Sequence, residues 1–372
     1  MNILIAGDFV PDHRIKSLCD KEKYDFFTVI KDLNEKVDYA IVNFESPVVL
    51  HPCKPIKKTG PNLKCDEKAV KAIKYAGFNC VTLASNHFYD YGEVGVRDTL
   101  KTCQDNGIDT VGGGIDLFDA AKIHYKKIDN RTLAIINCCE HEWSIATLVK
   151  GGSAPLGEVD IYYKIKEARS KADFVIVITH GGTQDYNLPT PRMKKTYQFF
   201  IDVGADAVVN HHQHCYSGYE EYKGKFIFYG IGNFCFDNGI RKLSPWNKGY
   251  LVLLKFSDSY GFEIIPYVQC AGNPTIELYA NVTSFYDDIK RLNALIVDDK
   301  QISKSFDLMV KKKEKYILSL LQPYENKYLR ALYIRGLLPS FFSLSWYRCL
   351  LAHFRCESHN DIMLRILENK LK

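Results

Sequence analysis

The sequence predicts an α/β domain followed by a helical C-terminal region. Three observations carry that expectation. Short β-branched runs alternate with longer amphipathic segments over roughly the first 270 residues, polar side chains recur where those runs end, and the alternation stops near Gly272.

In order, the strand candidates are NILIAGD, YAIVNFE, CVTLASNH, TLAIINCCE, FVIVITHGG, AVVNHHQH, KFIFYGIGNF and YLVLLKF. Between several of them lie helix-like stretches: DEKAVKAIKYAG, GVRDTLKTCQDNG and PRMKKTYQFFIDVG. Each ends in glycine, as helix C-caps commonly do. Past Gly272 the segments read as helices throughout (SFYDDIKRLNALI, SFDLMVKKKEKYILSLL, KYLRALYIRGLL, SHNDIMLRILENKLK). The expected organisation is residues 1–271 as one α/β domain and 272–372 as a helical region.

Bulk properties narrow the function. Of the 372 residues, 46% are apolar and 25% charged, an ordinary globular balance. The net charge of +5 is thinly spread, with one dense basic run at Lys311 to Lys315, so no nucleic-acid partner is expected. The surplus suits an anionic substrate or a solvated helix face equally. There are twelve cysteines and no CxxC pair, and Cys80, Cys138, Cys139, Cys215 and Cys235 lie in or beside apolar runs. They read as reduced, buried thiols of a reducing compartment. The opening MNILIAGDFVPDHR has too short an apolar run for a signal peptide. The expected location is cytoplasmic, with peripheral contact at the inner membrane as the alternative. GLLPSFFSLSWYRCLLAHF, Gly336 to Phe354, comes nearest to a spanning segment, but Pro339 and Arg348 interrupt it. A helical-hairpin core is the plainer reading there, and peripheral membrane contact the lesser one.

The chemistry lies at the ends of the apolar runs. Asp8 follows ILIAG, Glu45 follows AIVNF, Asn86 and His87 follow VTLAS, His180 follows VIVIT, and His212 and His214 follow AVVN. Ligands of α/β sheets bind beyond the carboxyl ends of the strands. Asp8, Glu45, Asn86, His180, His212 and His214 are the carboxylate, amide and imidazole donors that a pair of divalent metals takes. Singly, each would read as a core histidine or a turn residue. Six at matching strand ends point to a metal site. Residues two apart on a strand share a face, so His212 and His214 are expected together with His211 opposed; an irregular strand end would let His211 and His212 exchange roles.

GDF, NFESP, ASNHFYDYG, THGG and VNHHQHCYSGYEEYKGKFIFYGIGNFCFD together resemble the CapA-type proteins of bacterial capsule and poly-γ-glutamate biosynthesis, a branch of the calcineurin-like metallophosphoesterases. The resemblance covers roughly residues 1 to 270. It implies a four-layer α/β/β/α sandwich holding two divalent metals (Mn, Fe, Zn or Mg). Asp8, Asn86, His180, His212 and His214 match metal-binding positions, Glu45 the bridging carboxylate, and His87 the histidine that protonates the leaving group.

This chain departs from the pattern at three positions. Val10 stands where a histidine is usual, Glu45 replaces aspartate, and Asn210 replaces glycine. His13 is the one nearby histidine that could stand in for the missing one, although a surface position is its plainer reading.

Three further groups each allow a functional and a structural reading. Glu140 and Glu142 in CCEHEWS match a site-lining patch of one subgroup, against a helix-terminal charge pair. Lys58 in KTGP would face an anionic substrate or be a plain loop lysine. Asn233 in GIGNF would shape the pocket wall, against a structural turn. The glycines of VGGGIDLFDAA lack a Walker lysine and read as a loop.

The leading functional expectation is a metal-dependent phosphoesterase-type hydrolase of capsular polysaccharide or poly-γ-glutamate biosynthesis. Its expected partners are an anionic small-molecule or polymer substrate and capsule-assembly proteins, and any membrane contact is at most peripheral. A non-catalytic metal-binding accessory protein and a metal-dependent amide hydrolase are the alternatives.

Overall fold

The first strand, Asn2–Val10, divides its side chains between two cores, because successive residues of a strand face opposite ways. Ile3 and Ile5 enter one core and Leu4 and Ala6 the other. This is a computed structural model, and it describes residues 1–240, 242–256 and 260–371.

An eight-stranded sheet runs in the order Ile276–Leu278, Tyr260–Gln269, Lys248–Phe256, Asn2–Val10, Tyr39–Phe44, Cys80–Thr82, Asp109–Val111, with Asn233–Phe236 paired to the far end of Asn2–Val10. A six-stranded sheet runs Tyr219–Tyr222, Lys225–Phe228, Ala207–His211, Phe174–His180, Arg131–Cys139, His124–Ile128. The two sheets face each other across Ile3, Ile5 and Ile41 on one side and Ile135, Ile176 and Val209 on the other. The outer face of the first sheet is covered by helices His13–Asp20, Glu67–Tyr75 and Gly92–Asp105 through Ile15, Val70, Ile73, Val96 and Cys103. That of the second is covered by Glu158–Lys171 and Pro191–Asp202. The result is the expected α/β/β/α order of layers.

Register assembles the site. Asp8 pairs with Asn43 on one side and with Asn233 on the other, while His180 pairs with His211. The parallel strands of both sheets therefore end together.

Three strand expectations change. KFIFYGIGNF is not one strand: Lys225–Phe228 belongs to the second sheet and Asn233–Phe236 to the first, with the chain crossing between them. Gly232 turns that crossing at φ +80°, and its carbonyl passes so close to Gly7 that a Cβ there would lie 1.9 Å away. CVTLASNH is a strand only over Cys80–Thr82, so Asn86 and His87 stand on a loop. AVVNHHQH leaves the strand at His211, and His212 and His214 take left-handed φ values of +84° and +56°. Strand alternation therefore does not explain their common direction; a tight irregular turn does.

The chain forms two compact units, Met1–Ser303 and Lys304–Lys372. The first extends past the composition shift at 271 because helix Val282–Val297 buries Phe285 and Ile289 in the inter-sheet core, and Asn293 accepts from the Tyr219 amide. The second unit holds helices Lys327–Ile334, Leu344–Arg355 and Glu357–Leu371, none with a buried residue. For Gly336 to Phe354 the expected hairpin core is not found: helix Leu344–Arg355 packs against Glu357–Leu371, but among the described residues of both helices none is buried. Among the described residues no helix is long and apolar enough to cross a membrane, and all twelve cysteines are free thiols.

Candidate metal centre

Two overlapping groups of ligand atoms converge at the strand ends: Glu45, His180 and His212 in one, Asp8, Glu45 and His214 in the other. Glu45 is common to both. Within each group the atoms lie within 4.8 Å of one another.

The first group shows a clear mismatch of protons and acceptors. Nε2 of His180 lies 3.1 Å from the Asn86 amide oxygen, 3.2 Å from Nδ1 of His212 and 3.6 Å from Oε1 of Glu45. A single N–H can serve one of those three acceptors. One divalent cation among the four atoms would serve them all. Glu45 is fully buried, and neither of its oxygens has a hydrogen-bond partner. A buried carboxylate in that condition is costly unless a cation meets it. The donor set therefore fits divalent metal ions.

In the second group, Asp8 lies 3.4 Å from Nδ1 of His214 and 3.4 Å from Nδ1 of His211. Burial pushes its carboxyl up, but the close imidazoles of His211 and His214 outweigh this and hold it well below the usual range. Burial and the Asp8 charge push Glu45 up, yet the nearby His180 leaves it lowered overall. His212 is pushed down to about 3 by burial and by His180 and His214, so its ring stays neutral with a free lone pair. Burial opposes charge on His214, but Asp8 and Glu45 raise it to about 9. A proton on that ring partly neutralises the two carboxylates, and metal binding would displace it.

Partners behind the ligands fix their orientation. Asn43 donates to Asp8 at 2.8 Å, with its own oxygen held by Thr82. Asn233, expected at the pocket wall, is instead fully buried and accepts from Nδ1 of His214 at 2.9 Å. Asn210, in place of glycine, bonds the carbonyls of Gly181, His211 and Tyr229 and so ties neighbouring chain segments together. Such supporting contacts set ligand geometry.

His87 is held in the manner of a proton donor. Its Nδ1 lies 2.7 Å from Asp90, which makes that nitrogen the N–H and leaves Nε2 directed toward Glu45 at 4.0 Å. The Lys58 side chain is only 3% exposed and its ammonium sits 2.5 Å from Asp90, so it braces the His87 partner and does not face solvent. Glu140 accepts from the Gly182 amide and pairs with Arg192, which pins the loop after His180. Glu142 is 42% exposed with a carboxylate oxygen 4.0 Å from Nε2 of His212, at the rim. His13 is exposed beside Asp12, and Val10 is buried.

Two residues escaped the sequence reading of the site, and a third, His211, entered it only as an alternative to His212. Asn43 is a lone amide inside an otherwise apolar buried strand, a signal that was available. Asp90 follows His87 by three residues in NHFYD. His211, read as facing away, reaches Asp8, and neither of its ring nitrogens has a hydrogen-bond partner.

The family model described as bacterial capsule synthesis protein PGA_cap matches residues 2–238. The chain belongs to that family. It is 33% identical over 248 residues to the capsule biosynthesis protein CapA of Bacillus anthracis, covering 64% of this chain and 60% of that protein. It is 31% identical over 238 residues to the PGA biosynthesis protein CapA of Bacillus subtilis (strain 168), covering 63% of each. The chain thus spans less than two thirds of the length of these relatives. Among solved structures, the 5'-nucleotidase of Candida albicans SC5314 aligns at TM-score 0.43 and 11% identity, over 84% of this chain and 57% of that one. The family match ends before the C-terminal helical unit.

Proposed function

We propose that the chain is a two-metal hydrolase of phosphoester type that serves the synthesis of a capsular or polyglutamate surface polymer. The observation that carries the reading is Glu45, a fully buried carboxylate without hydrogen-bond partners that is shared by two groups of metal-ligand atoms. The polymer class comes from the names of the two relatives.

Asn86, Glu45, His180 and His212 would hold one ion and Asp8, Glu45 and His214 the other. Such ions supply Lewis acidity, which makes water a nucleophile at neutral pH and neutralises charge on the transferred group. The chain's own residues do the rest. When water attacks phosphorus and the bond to the leaving oxygen breaks, Nε2 of His87 gives that oxygen its proton and later recovers one from water. Asp90 keeps the other ring nitrogen protonated, so the exchangeable proton sits on the nitrogen facing Glu45.

A non-catalytic accessory role is the second reading, and Val10 favours it. The Asp8 group lacks the histidine that the resemblance supplies at that position, and Val10 is packed in the core. The two readings separate when the metal-loaded chain is given a generic phosphodiester, a phosphomonoester and a polyglutamate amide. Turnover of a phosphate ester that disappears in His87→Ala supports the hydrolase. Stoichiometric metal without turnover on any of them supports the accessory role.

A further inference from the structure

The unit Lys304–Lys372 leaves many of its large apolar side chains exposed. Between Leu337 and Phe354, six large apolar residues are each at least 47% exposed, among them Trp346 at 52%, Leu351 at 47% and Phe354 at 69%. Apolar side chains exposed in such number along one short segment mark an interaction surface. On helix Leu344–Arg355, Tyr347, Leu350, Leu351 and Phe354 follow i, i+3, i+4, i+7 spacing and make one apolar stripe. Arg348 and Arg355 are exposed and fall at its margin.

Charge identifies the occupant. Residues 304–372 carry thirteen Lys and Arg against six Asp and Glu, a net +7, while the whole chain carries +5, so the remainder sums to −2. Two copies of this unit would repel each other. An anionic surface would be attracted. Trp, Phe and Tyr beside arginine suit a bilayer interface, where aromatic rings lie at headgroup depth and cationic heads stay in water. A twelve-residue helix is about 18 Å long and cannot cross a hydrocarbon core of about 30 Å, so it lies on the membrane.

We propose that the helical unit docks this protein on the surface of an anionic lipid bilayer, with Trp346, Leu351 and Phe354 inserted and Arg348 and Arg355 on the headgroups. The proposal stands independently of the hydrolase reading, since it uses no residue of the metal centre.

The test is flotation of the full chain with vesicles of phosphatidylcholine mixed with phosphatidylglycerol, against pure phosphatidylcholine, at low and high salt. Binding to the anionic vesicles that weakens with salt is expected. Each cation near an anionic leaflet raises affinity about fivefold, so Arg348→Gln with Arg355→Gln should weaken binding about 25-fold. Leu351→Ser with Phe354→Ser should weaken it at least as much. Circular dichroism would verify that both variants fold; the arginine pair is exposed, so that variant keeps the test open if the apolar one misfolds. Equal binding to neutral vesicles, no binding to anionic ones, or unchanged binding by the arginine variant would overturn the proposal. So would sedimentation equilibrium showing a dimer that the Leu351→Ser, Phe354→Ser variant disrupts.

Discussion

Nε2 of His180 and Nδ1 of His212 lie 3.2 Å apart at the ends of adjacent segments. Two neutral imidazoles at that distance share one proton or one cation, and Asn86 and Glu45 add two more acceptors to the same spot. The arrangement makes sense around a cation.

His212→Ala should therefore release the ion of the Glu45, His180 and His212 group and leave the other. His87→Ala should keep both ions and lose about 10²- to 10⁴-fold in turnover, the usual share of a general acid. Elemental analysis of dialysed protein beside a phosphodiesterase assay checks both. Equal metal content and equal activity in the two variants would refute the assignments.

Asp90 does two jobs, and a double-mutant cycle separates them. Asp90→Asn leaves the Lys58 ammonium buried without its counter-charge, a change that costs about 3–5 kcal/mol in buried pairs. Adding Lys58→Met should recover most of that stability, read by denaturant titration. Activity should stay depressed in the double variant, because His87 still lacks the carboxylate that orients it.

Arg14, on helix His13–Asp20, ties two loops to that helix. Its guanidinium bonds both oxygens of Asp237 and the carbonyls of Cys270 and Gly272. Arg14→Met should cost about 2–3 kcal/mol, less than a fully buried pair because the arginine is partly exposed. Burial pushes the Asp237 carboxyl up, but Arg14 outweighs it and holds the group below its ordinary value. The unfolded chain then binds the proton first as pH falls. The stability from this pair is fully present above the unfolded pKa of about 3.9 and disappears as pH drops through the lower folded value. Acid titration followed by circular dichroism should show that loss in the wild type and a shallower slope in Arg14→Met.

Gly7→Ala tests the close approach of the two backbones. The added methyl would meet the Gly232 carbonyl at 1.9 Å, and backbone cannot yield as a side chain does. A loss of about 3 kcal/mol or more is expected, with Asp8 displaced next door. Thermal melting and metal content should fall together; a variant as stable and as metal-competent as the wild type would contradict the crossing described here.

Much of this was legible in the sequence because parallel strands buried on both faces read as apolar runs, and their ends are where polar residues stand out. Glu45, His180 and Asp8 were singled out that way, and their side chains do converge. The rest was hidden for identifiable reasons. KFIFYGIGNF has the same β-branched character whether it stays in one sheet or crosses to another, and its glycines were the only cue to the crossing. Alternation could not describe His212 and His214, since it presumes an extended backbone and theirs is left-handed. Helix Val282–Val297 looked like appendage because its role depends on Phe285 reaching a core built from residues far earlier in the chain. Lys58 gave no sign that it would be buried on Asp90, a contact between two loops.

The central claim is that Glu45 is shared by two metal ions. Equilibrium dialysis of the full chain against manganese or zinc, followed by elemental analysis, tests it most directly when wild type and Glu45→Gln are compared. Two ions per wild-type chain, with both lost from a folded Glu45→Gln protein, is the predicted result. A wild type that binds no ion, or a Glu45→Gln variant that keeps two, would contradict it.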